Sequence, residues 1–267
     1  MTVSNVYEEL FSLSGKTALV TGGAKGIGAM ISRMLLRAGC KVFVTGRSRS
    51  AAEQLTTELG PDAAALTFLQ HDLSQPEGID ALAAELDELC PQLNILVNNA
   101  GTFNAAPLGD TDSTSWNELM GLNLRAPFLL VQALLPLLEA AGSNADPARI
   151  INLGSIGGLM PQSNGGAYAY GCSKAAVHQL TRMLASDLRS RNINVNAIAP
   201  GYFPSDMTSG FFEAVPNLRE NMLAQIPAGR FGSAEDVGGM VIFLASRAGA
   251  YLTGSITALD GGLLSAP

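Results

Sequence analysis

The sequence predicts an α/β fold in which a mostly parallel β-sheet carries helices on both faces. Strand-like apolar runs alternate with helix-like stretches along the whole 267-residue chain. Apolar residues make up 47% of the chain and charged residues 15%, a balance typical of a sheet that is buried on both sides. The alternation is not interrupted by a linker or a repeat, which predicts one domain over residues 1–267.

Each predicted strand is a short run of apolar and β-branched residues, and each predicted helix repeats its apolar residues every three or four positions. The predicted strands are residues 18–21, 41–45, 66–70, 95–98, 149–153, 193–199 and 255–259. The predicted helices are residues 28–38, 50–59, 78–89, 113–141, 168–190 and 234–246. Such alternation favours right-handed βαβ units and therefore parallel strands. Residues 1–13 form an N-terminal extension.

A glycine-rich loop separates the first predicted strand from the first predicted helix. Gly22 allows a tight turn, Gly26 lets the backbone approach a pyrophosphate, and Gly28 lets helix and strand pack closely. The start of the helix then offers free N–H groups and a positive dipole end to phosphates. The strand, loop and helix together predict a dinucleotide site, although the spacing is Gly-x-x-x-Gly-x-Gly.

Other polar and glycine residues follow the carboxyl ends of the next strands, where ligands bind in open parallel sheets. These residues are Arg47 and Arg49, then Asp72, then Asn98, Asn99, Ala100 and Gly101, then Gly154 and Ser155, and finally Pro200 and Gly201. The convergence predicts a single site at one edge of the sheet.

Tyr170 and Lys174 lie four residues apart in a predicted helix, so they share one helix face. An ammonium near a phenol favours the phenolate, and we therefore expect a lowered Tyr170 pKa. A tyrosine tuned in this way can exchange a proton with an alcohol or carbonyl oxygen. The alternative is an ordinary helix with a half-buried tyrosine and a surface lysine.

Charge and composition exclude several classes of function. The net charge of −7 disfavours a nucleic-acid surface. Three dispersed cysteines and two histidines predict neither a disulfide framework nor a metal site. No basic-then-apolar segment opens the chain and no uninterrupted apolar run reaches about 18 residues, so we expect a cytoplasmic protein without a membrane span.

With these motifs together, the chain resembles the short-chain dehydrogenase/reductase family over residues 13–262. Around Tyr170 and in residues 194–201 it is similar to 3-oxoacyl-[acyl-carrier-protein] reductases, the rhamnolipid-synthesis subset above all. The resemblance implies a Rossmann-type, doubly wound sheet of about seven parallel strands in a homotetramer or homodimer. It also makes an acyl carrier protein a candidate partner.

The resemblance also implies roles for individual residues. Tyr170 would be the general acid of ketone reduction, and Lys174 would lower its pKa and hold the nicotinamide ribose. Ser155 would donate a hydrogen bond to the carbonyl oxygen, and Asn123 would anchor a water that connects Lys174 to solvent. Asp72 would accept a hydrogen bond from the adenine amino group. The residues expected to contact the cofactor are Gly22, Lys25, Gly26, Ile27, Gly28, Arg47, Asp72, Leu73, Asn99, Ala100, Gly101, Tyr170, Lys174, Pro200, Gly201 and Phe203.

One spacing departs from the family pattern. Ser155 and Tyr170 are 15 positions apart (170 − 155), about two more than is common in the family, and Tyr168 sits at the commoner distance. Four residues beyond Tyr168 lies Cys172, which cannot supply a cation. The turn-rich segment 157–166 can absorb an insertion, so we favour Tyr170 as the catalyst and keep Tyr168 as the alternative.

The expected cofactor is NADP(H). An NAD site usually carries an acid at the end of the second strand, whereas this strand is followed by Arg47. Arg47 can face a 2′-phosphate as a charge-assisted fork, and Lys25 supplies a second cation. Alternatively, Arg47 and Arg49 are solvated turn charges.

Residues 201–232 depart from the regular alternation and predict a lid over the substrate, or else a subunit interface or core. The segment is rich in aromatic and methionine side chains, which suit an acyl chain or another apolar ketone. Thr102, Phe103, Met160 and Gln162 are further candidates for the substrate pocket.

Three functions therefore stay open. The first is NADPH-dependent reduction of a 3-oxoacyl thioester or related β-keto compound. The second is the same chemistry on a polyol, steroid or secondary-metabolite ketone. The third is a non-catalytic NADP-binding regulator, which would have no need of Asn123, Ser155, Tyr170 and Lys174 together.

Overall fold

The computed structural model describes residues 3–161, 166–204 and 217–265. Its centre is a seven-stranded, all-parallel sheet in the order β3-β2-β1-β4-β5-β6-β7. The strands are β1 Thr17–Thr21, β2 Lys41–Gly46, β3 Leu66–Gln70, β4 Ile95–Asn98, β5 Ala148–Leu153, β6 Ile193–Pro200 and β7 Ile256–Leu259. Every residue of β4, β5 and β6 is buried, as expected for central parallel strands covered on both faces. The predicted α/β class and parallel sheet are confirmed.

The helices cover both faces of this sheet. They are α1 Val3–Phe11, α2 Gly26–Arg37, α3 Arg49–Leu59, α4 Pro76–Leu89, α5 Ser113–Met120, α6 Ala126–Ala141, α7 Tyr168–Leu188, α8 Leu218–Gln225 and α9 Ala234–Ala245. One apolar cluster joins the sheet to α4, α6 and α7 through residues such as Leu82, Leu134 and Leu184. The other joins the sheet to α2 and α9 through Ile31 and Val241. The sheet is thus doubly wound.

The structure differs from the sequence prediction in three helices. The N-terminal extension contains α1, and the predicted lid contains α8. The long helix predicted over 113–141 has a π-helical turn at Gly121–Arg125, which joins α5 to α6. By length and composition, Ser113–Ala141 is the one helix in the described residues that could cross a membrane. However, its residues Leu130, Leu134 and Leu138 lie in the protein core.

The strand order reverses between β1 and β4, because the chain runs outward from β1 to β3 and then returns to the other side of β1. At such a switch point, the loops beyond the carboxyl ends of the strands part and leave a crevice. The site described below lies in this crevice.

Candidate active site

The glycine loop forms the first wall of the site. Gly22 and Gly26 adopt positive φ angles of +62° and +49°, which residues with a Cβ rarely adopt. A Cβ on Gly28 would lie 2.3 Å from the Gly22 carbonyl oxygen, so the helix can approach the loop only without a side chain. Because α2 begins at Gly26, its unpaired N–H groups open toward the loop.

The loop after β4 is fastened to β1 by hydrogen bonds. The Thr21 hydroxyl accepts from the backbone N–H groups of Asn99 and Ala100, at 2.9 and 2.8 Å. The Asn99 side-chain amide donates to the Thr21 carbonyl at 2.8 Å. Two strand ends that are 78 residues apart in sequence are thereby held as one surface.

The strand ends enclose a cleft of about 470 Å³. It is lined by Gly22, Ala24, Lys25, Gly26, Ile27, Gly28, Thr45, Gly46, Arg47, Ser48, Ala51, Phe68, His71, Asp72, Leu73, Asn99, Ala100, Gly101, Thr102, Leu122, Leu153, Gly154, Ser155, Tyr170, Lys174, Pro200 and Gly201. Every residue expected to contact the cofactor, Phe203 excepted, belongs to this lining.

Phe203 is the one expected cofactor contact that does not line the cleft. Its side chain is 5% exposed and packs in the core cluster beneath α9 rather than in the cleft. A Cβ on Gly232 would lie 2.3 Å from the ring, so the aromatic group fills space beside that glycine.

One end of the cleft is cationic and aromatic. Lys25 and exposed Arg47 line it, and neither makes an ion pair with another described residue. The Arg49 guanidinium lies over the Phe68 ring, 5.9 Å from its centroid. Asp72 also lines this end, where its Oδ1 accepts from the Ser74 N–H at 3.0 Å.

The other end of the cleft holds the hydroxyl pair. Ser155 follows β5 and is 8% exposed, and its Oγ accepts from the Gly157 N–H at 3.1 Å. Tyr170, in the first turn of α7, forms a hydrogen bond with the Ser155 side chain. The two hydroxyl groups face the same cleft as the glycine loop.

The expected lowering of the Tyr170 pKa is wrong. Burial raises the pKa of the phenol, and the hydrogen bond with Ser155 opposes this rise only in part. Lys174 is itself buried, which lowers its pKa to about 8. Its Nζ donates to the Leu153 carbonyl at 2.8 Å and lies 5.7 Å from the centroid of the Tyr170 ring. Desolvation, which one helix in a sequence does not reveal, sets the direction of the Tyr170 shift.

Tyr168 occupies a different environment from Tyr170. It is the first residue of α7, it is 45% exposed, and it does not line the cleft. Part of the turn-rich segment that was expected to absorb an insertion, residues 162–165 with Gln162, lies outside the described residues.

Asn123 lies behind the cleft, in the π-helical turn. It is 1% exposed, and its amide accepts from the Thr102 N–H at 2.8 Å and donates to the Thr102 carbonyl at 2.9 Å. The amide also donates to the Ser173 hydroxyl at 3.2 Å. A Cβ on Gly101 would lie 3.1 Å from Asn123 Oδ1 and 3.7 Å from Lys174 Nζ, so Gly101 separates these two groups.

Comparison with known proteins identifies the family. A family model described as enoyl-(acyl carrier protein) reductase matches residues 22–264. The rhamnolipid-biosynthesis 3-oxoacyl-[acyl-carrier-protein] reductase of Pseudomonas aeruginosa is 46% identical over 254 residues, which are 94% of this chain and 97% of that protein.

The chain belongs to the short-chain dehydrogenase/reductase family. Family membership makes it an oxidoreductase, as the sequence predicts.

Other relatives bear different names. Galactitol 2-dehydrogenase (L-tagatose-forming) of Cereibacter sphaeroides is 37% identical, with 96% of this chain and 98% of that protein covered. Among solved structures, the P. aeruginosa RhlG/NADP active-site complex has a TM-score of 0.90 and 45% identity, with 96% and 98% covered. A Burkholderia cenocepacia gluconate 5-dehydrogenase in complex with NADP and tartrate has a TM-score of 0.87 and 30% identity, with 97% and 99% covered.

The structure of this short-chain dehydrogenase/reductase also shows cleft residues that the sequence analysis missed. Phe68, Ser48 and Leu122 line the cleft, and the position of Ser48 just beyond β2 was the available signal for that residue. Thr102, a candidate pocket residue, lines the cleft, and Phe103 packs against Tyr170. Residues 205–216 of the predicted lid, with Met207, Phe211 and Phe212, lie outside the described residues.

Proposed function

We propose that the protein reduces the ketone of a 3-oxoacyl thioester or a related β-keto compound to a secondary alcohol, with NADPH as the reductant. One observation supports this most strongly. The hydrogen-bonded Tyr170 and Ser155 hydroxyls, with Lys174 beside them, face the same 470 Å³ cleft as the glycine loop.

NADP(H) fits the residues that line the cleft. The glycine loop and the start of α2 offer backbone N–H groups to a pyrophosphate, in a cradle that a Cβ on Gly28 would fill. Lys25 and Arg47 line the cleft without an ion pair to any described carboxylate, so both can face a 2′-phosphate. The cofactor is NADP(H), as in the solved complexes of RhlG and of the gluconate 5-dehydrogenase. When bound, NADPH supplies the hydride.

The side chains of the protein then supply the proton and stabilise the charge that develops on the carbonyl oxygen. Because burial raises the pKa of Tyr170, the phenol keeps its proton at neutral pH and can donate it to a carbonyl oxygen that becomes an alkoxide. Ser155 donates a hydrogen bond to the same oxygen and stabilises its developing charge. Lys174 would hold the ribose hydroxyls of the cofactor, and Asn123 would anchor a water behind Lys174.

Apolar surface near the hydroxyl pair supports an acyl substrate. Phe103 packs against Tyr170, and the turn after Ser155 carries Leu159 and Met160, which are 43% and 38% exposed. Tyr168, on the first turn of the same helix as Tyr170, is exposed as well. Exposed apolar side chains beside a cleft are typical of a ligand-binding surface.

An acyl carrier protein remains a candidate partner, but the cations that could receive it are partly neutralised. Arg191 pairs with Glu139, and Arg230 pairs with Asp236. Arg219 lies over the Phe231 ring, 5.4 Å from its centroid. A thioester on a small carrier is therefore as good a candidate as one on an acidic protein.

The second candidate function is oxidation of a polyol or reduction of a sugar-derived ketone. The similarity to galactitol 2-dehydrogenase and to gluconate 5-dehydrogenase supports it. Both candidates use the same hydroxyl pair and differ in the surface that receives the rest of the substrate.

NADPH oxidation with matched substrates distinguishes the two candidates. The panel comprises acetoacetyl and 3-oxooctanoyl thioesters on one side, and L-tagatose and a keto-gluconate on the other. We expect the larger kcat/KM for the thioesters, with a gain on lengthening the acyl chain. Turnover confined to the sugars would favour the second candidate and contradict the first.

We further propose that the protein is a cytoplasmic homotetramer or homodimer with residues 201–232 as a substrate lid. Light scattering on the purified protein in the presence of NADPH measures the number of subunits. A monomer would contradict the proposed assembly.

A further inference from the structure

The loop after β4 places an aromatic ring against the proposed general acid. The Phe103 and Tyr170 rings have centroids 5.0 Å apart and planes at 69°, an edge-to-face arrangement. Such pairs contribute about 0.5–1.5 kcal/mol beyond the area they bury, and they fix the relative orientation of the rings. Phe103 is half-buried, and its edge-to-face contact covers part of Tyr170.

The backbone beside Phe103 is held by a polar clamp, which consists of Asn123 and Ser173. The neighbouring Thr102 has both backbone polar groups bonded to the Asn123 amide, at 2.8 and 2.9 Å. The same amide donates to the Ser173 hydroxyl, which in turn donates to the Tyr170 carbonyl at 2.8 Å. Asn123 and Ser173 are 1% and 0% exposed.

These contacts close into a circuit. It runs from Thr102 through Asn123 and Ser173 to the Tyr170 backbone, and returns from the Tyr170 ring through Phe103 to Thr102. The circuit joins the β4 loop, the π-helical turn and α7. A side chain locked by packing and by supporting hydrogen bonds holds its reactive atom in a defined place, which proton transfer requires.

We propose that Phe103 is a positioning residue: clamped through Thr102 by Asn123, its ring seats the Tyr170 phenol against Ser155 and keeps water from it. Asn123 thereby helps to fix the position of the Phe103 ring against Tyr170, in addition to anchoring any water. This inference rests on the proposed function, in which Tyr170 is the proton donor.

The groups around Tyr170 permit a test by pH. Among the described residues, its cationic neighbour is Lys174 on the same helix, whereas the β5 turn contributes the Ser155 hydroxyl and the β4 loop contributes the uncharged Phe103. His178 lies one turn beyond Lys174, and its pKa of about 4 leaves it neutral from pH 6 upward. Loss of the Phe103 ring exposes the phenol, and hydration then lowers its pKa.

The variants are Phe103→Ala, which removes the ring, and Phe103→Leu, which keeps apolar bulk. The exposed Tyr251→Ala is the control for loss of an aromatic side chain. We expect F103A to lower kcat by about tenfold or more, as misplaced reacting groups do. The Kd for NADPH should stay within about twofold, because the clamp acts on the phenol. The decrease of kcat at alkaline pH should begin at a lower pH in F103A than in the parent protein. In F103L, both kcat and the pH of this decrease should lie between those of F103A and the parent protein.

A double-mutant cycle with Asn123→Ala tests the clamp. If Asn123 acts through Phe103, the double variant should be little worse than the Asn123→Ala single variant. If Asn123 only anchors water, the two losses should multiply, which would contradict the clamp.

Tyr170→Phe separates failure of this inference from failure of the proposed function. Parent-like kcat and pH dependence in F103A, with Y170F inactive, would overturn the role of Phe103 and leave the proposed function intact. A loss of NADPH binding in F103A that matches its loss of kcat would also overturn that role. Turnover by Y170F at the parent rate would overturn the proposed function itself.

Discussion

At the scale of single residues, burial decides the ionisation of the site. Tyr170 has a cation near its ring, yet burial raises the pKa of the phenol. The same burial lowers the pKa of Lys174 to about 8. Both groups are therefore displaced toward their neutral forms, which is the state that the proposed role of Tyr170 as proton donor requires.

Arg47 permits a prediction on cofactor choice. Replacing it by alanine removes a cation that can face the 2′-phosphate, so we expect the Kd for NADPH to rise about tenfold or more. The Kd for NADH should change little, because NADH lacks that phosphate. Arg49→Ala is the matched control, since that guanidinium lies over Phe68 and does not line the cleft. Equal losses for both cofactors in R47A would contradict the assignment.

His178 gives a prediction on stability and pH. It is 2% exposed, and burial, followed by the charges of Lys174 and Arg182, lowers its pKa to about 4. The unfolded chain binds this proton near pH 6.5 and the native state does not, so stability falls as the pH drops from about 6.5 to 4. We expect a loss of about 1–2 kcal/mol from this site by pH 4.5, measured by urea unfolding.

The leucine variant of that histidine provides the comparison. In His178→Leu the ring can no longer titrate, so the unfolding free energy should fall less between pH 7 and pH 4.5 than in the parent. An identical fall in both proteins would assign the acid sensitivity to other groups.

At the scale of elements, α9 is fixed at both ends. Ser233 and Asp236 form a capping box at its start. At its end, the buried Arg149 guanidinium donates to the carbonyls of Leu244 and Ser246, each at 3.0 Å. The helix is thereby tied to β5, and it packs with α2 on the face of the sheet opposite α7.

Two adjacent glycines of α9 should respond in opposite ways to alanine. A Cβ on Gly238 would lie 2.2 Å from the Met34 side chain in α2, so we expect Gly238→Ala to destabilise the protein by about 1–3 kcal/mol. A Cβ on Gly239 meets no atom within 4 Å, so Gly239→Ala should stabilise it by about 0.5–1 kcal/mol through helix propensity. Urea denaturation measures both. Equal effects would contradict the packing between α2 and α9.

The sequence predicted most of these elements because buried parallel strands are short apolar runs with clear ends. All seven strands were placed within about two residues of their observed bounds. The α1 helix was missed although Val6, Tyr7, Leu10 and Phe11 recur at helical spacing, because the prediction treated residues 1–13 as an extension outside the strand–helix alternation. The core position of Phe203 and the raised pKa of Tyr170 depend on packing between distant segments, which no local pattern reveals.

At the scale of the whole molecule, the topology assembles the site. The reversal of strand order beside β1 brings together residues as distant in sequence as Gly22 and Gly201 in one cleft. The sequence predicted this convergence because each candidate residue follows a strand, and strand ends of a parallel sheet meet at one edge. The protein carries a net charge of −7, while Lys25 and Arg47 supply cations at one end of the cleft.

The most direct test of this account is turnover by Tyr170→Phe, measured as NADPH oxidation with a 3-oxoacyl thioester beside the Kd for NADPH. Loss of the phenol oxygen should lower kcat by about 10²–10⁴-fold, the usual worth of a positioned general acid, with little change in Kd. Tyr168→Phe should retain turnover, since that side chain is 45% exposed and lies outside the cleft lining. Parent-like turnover by Y170F, or its loss in Y168F, would contradict the account.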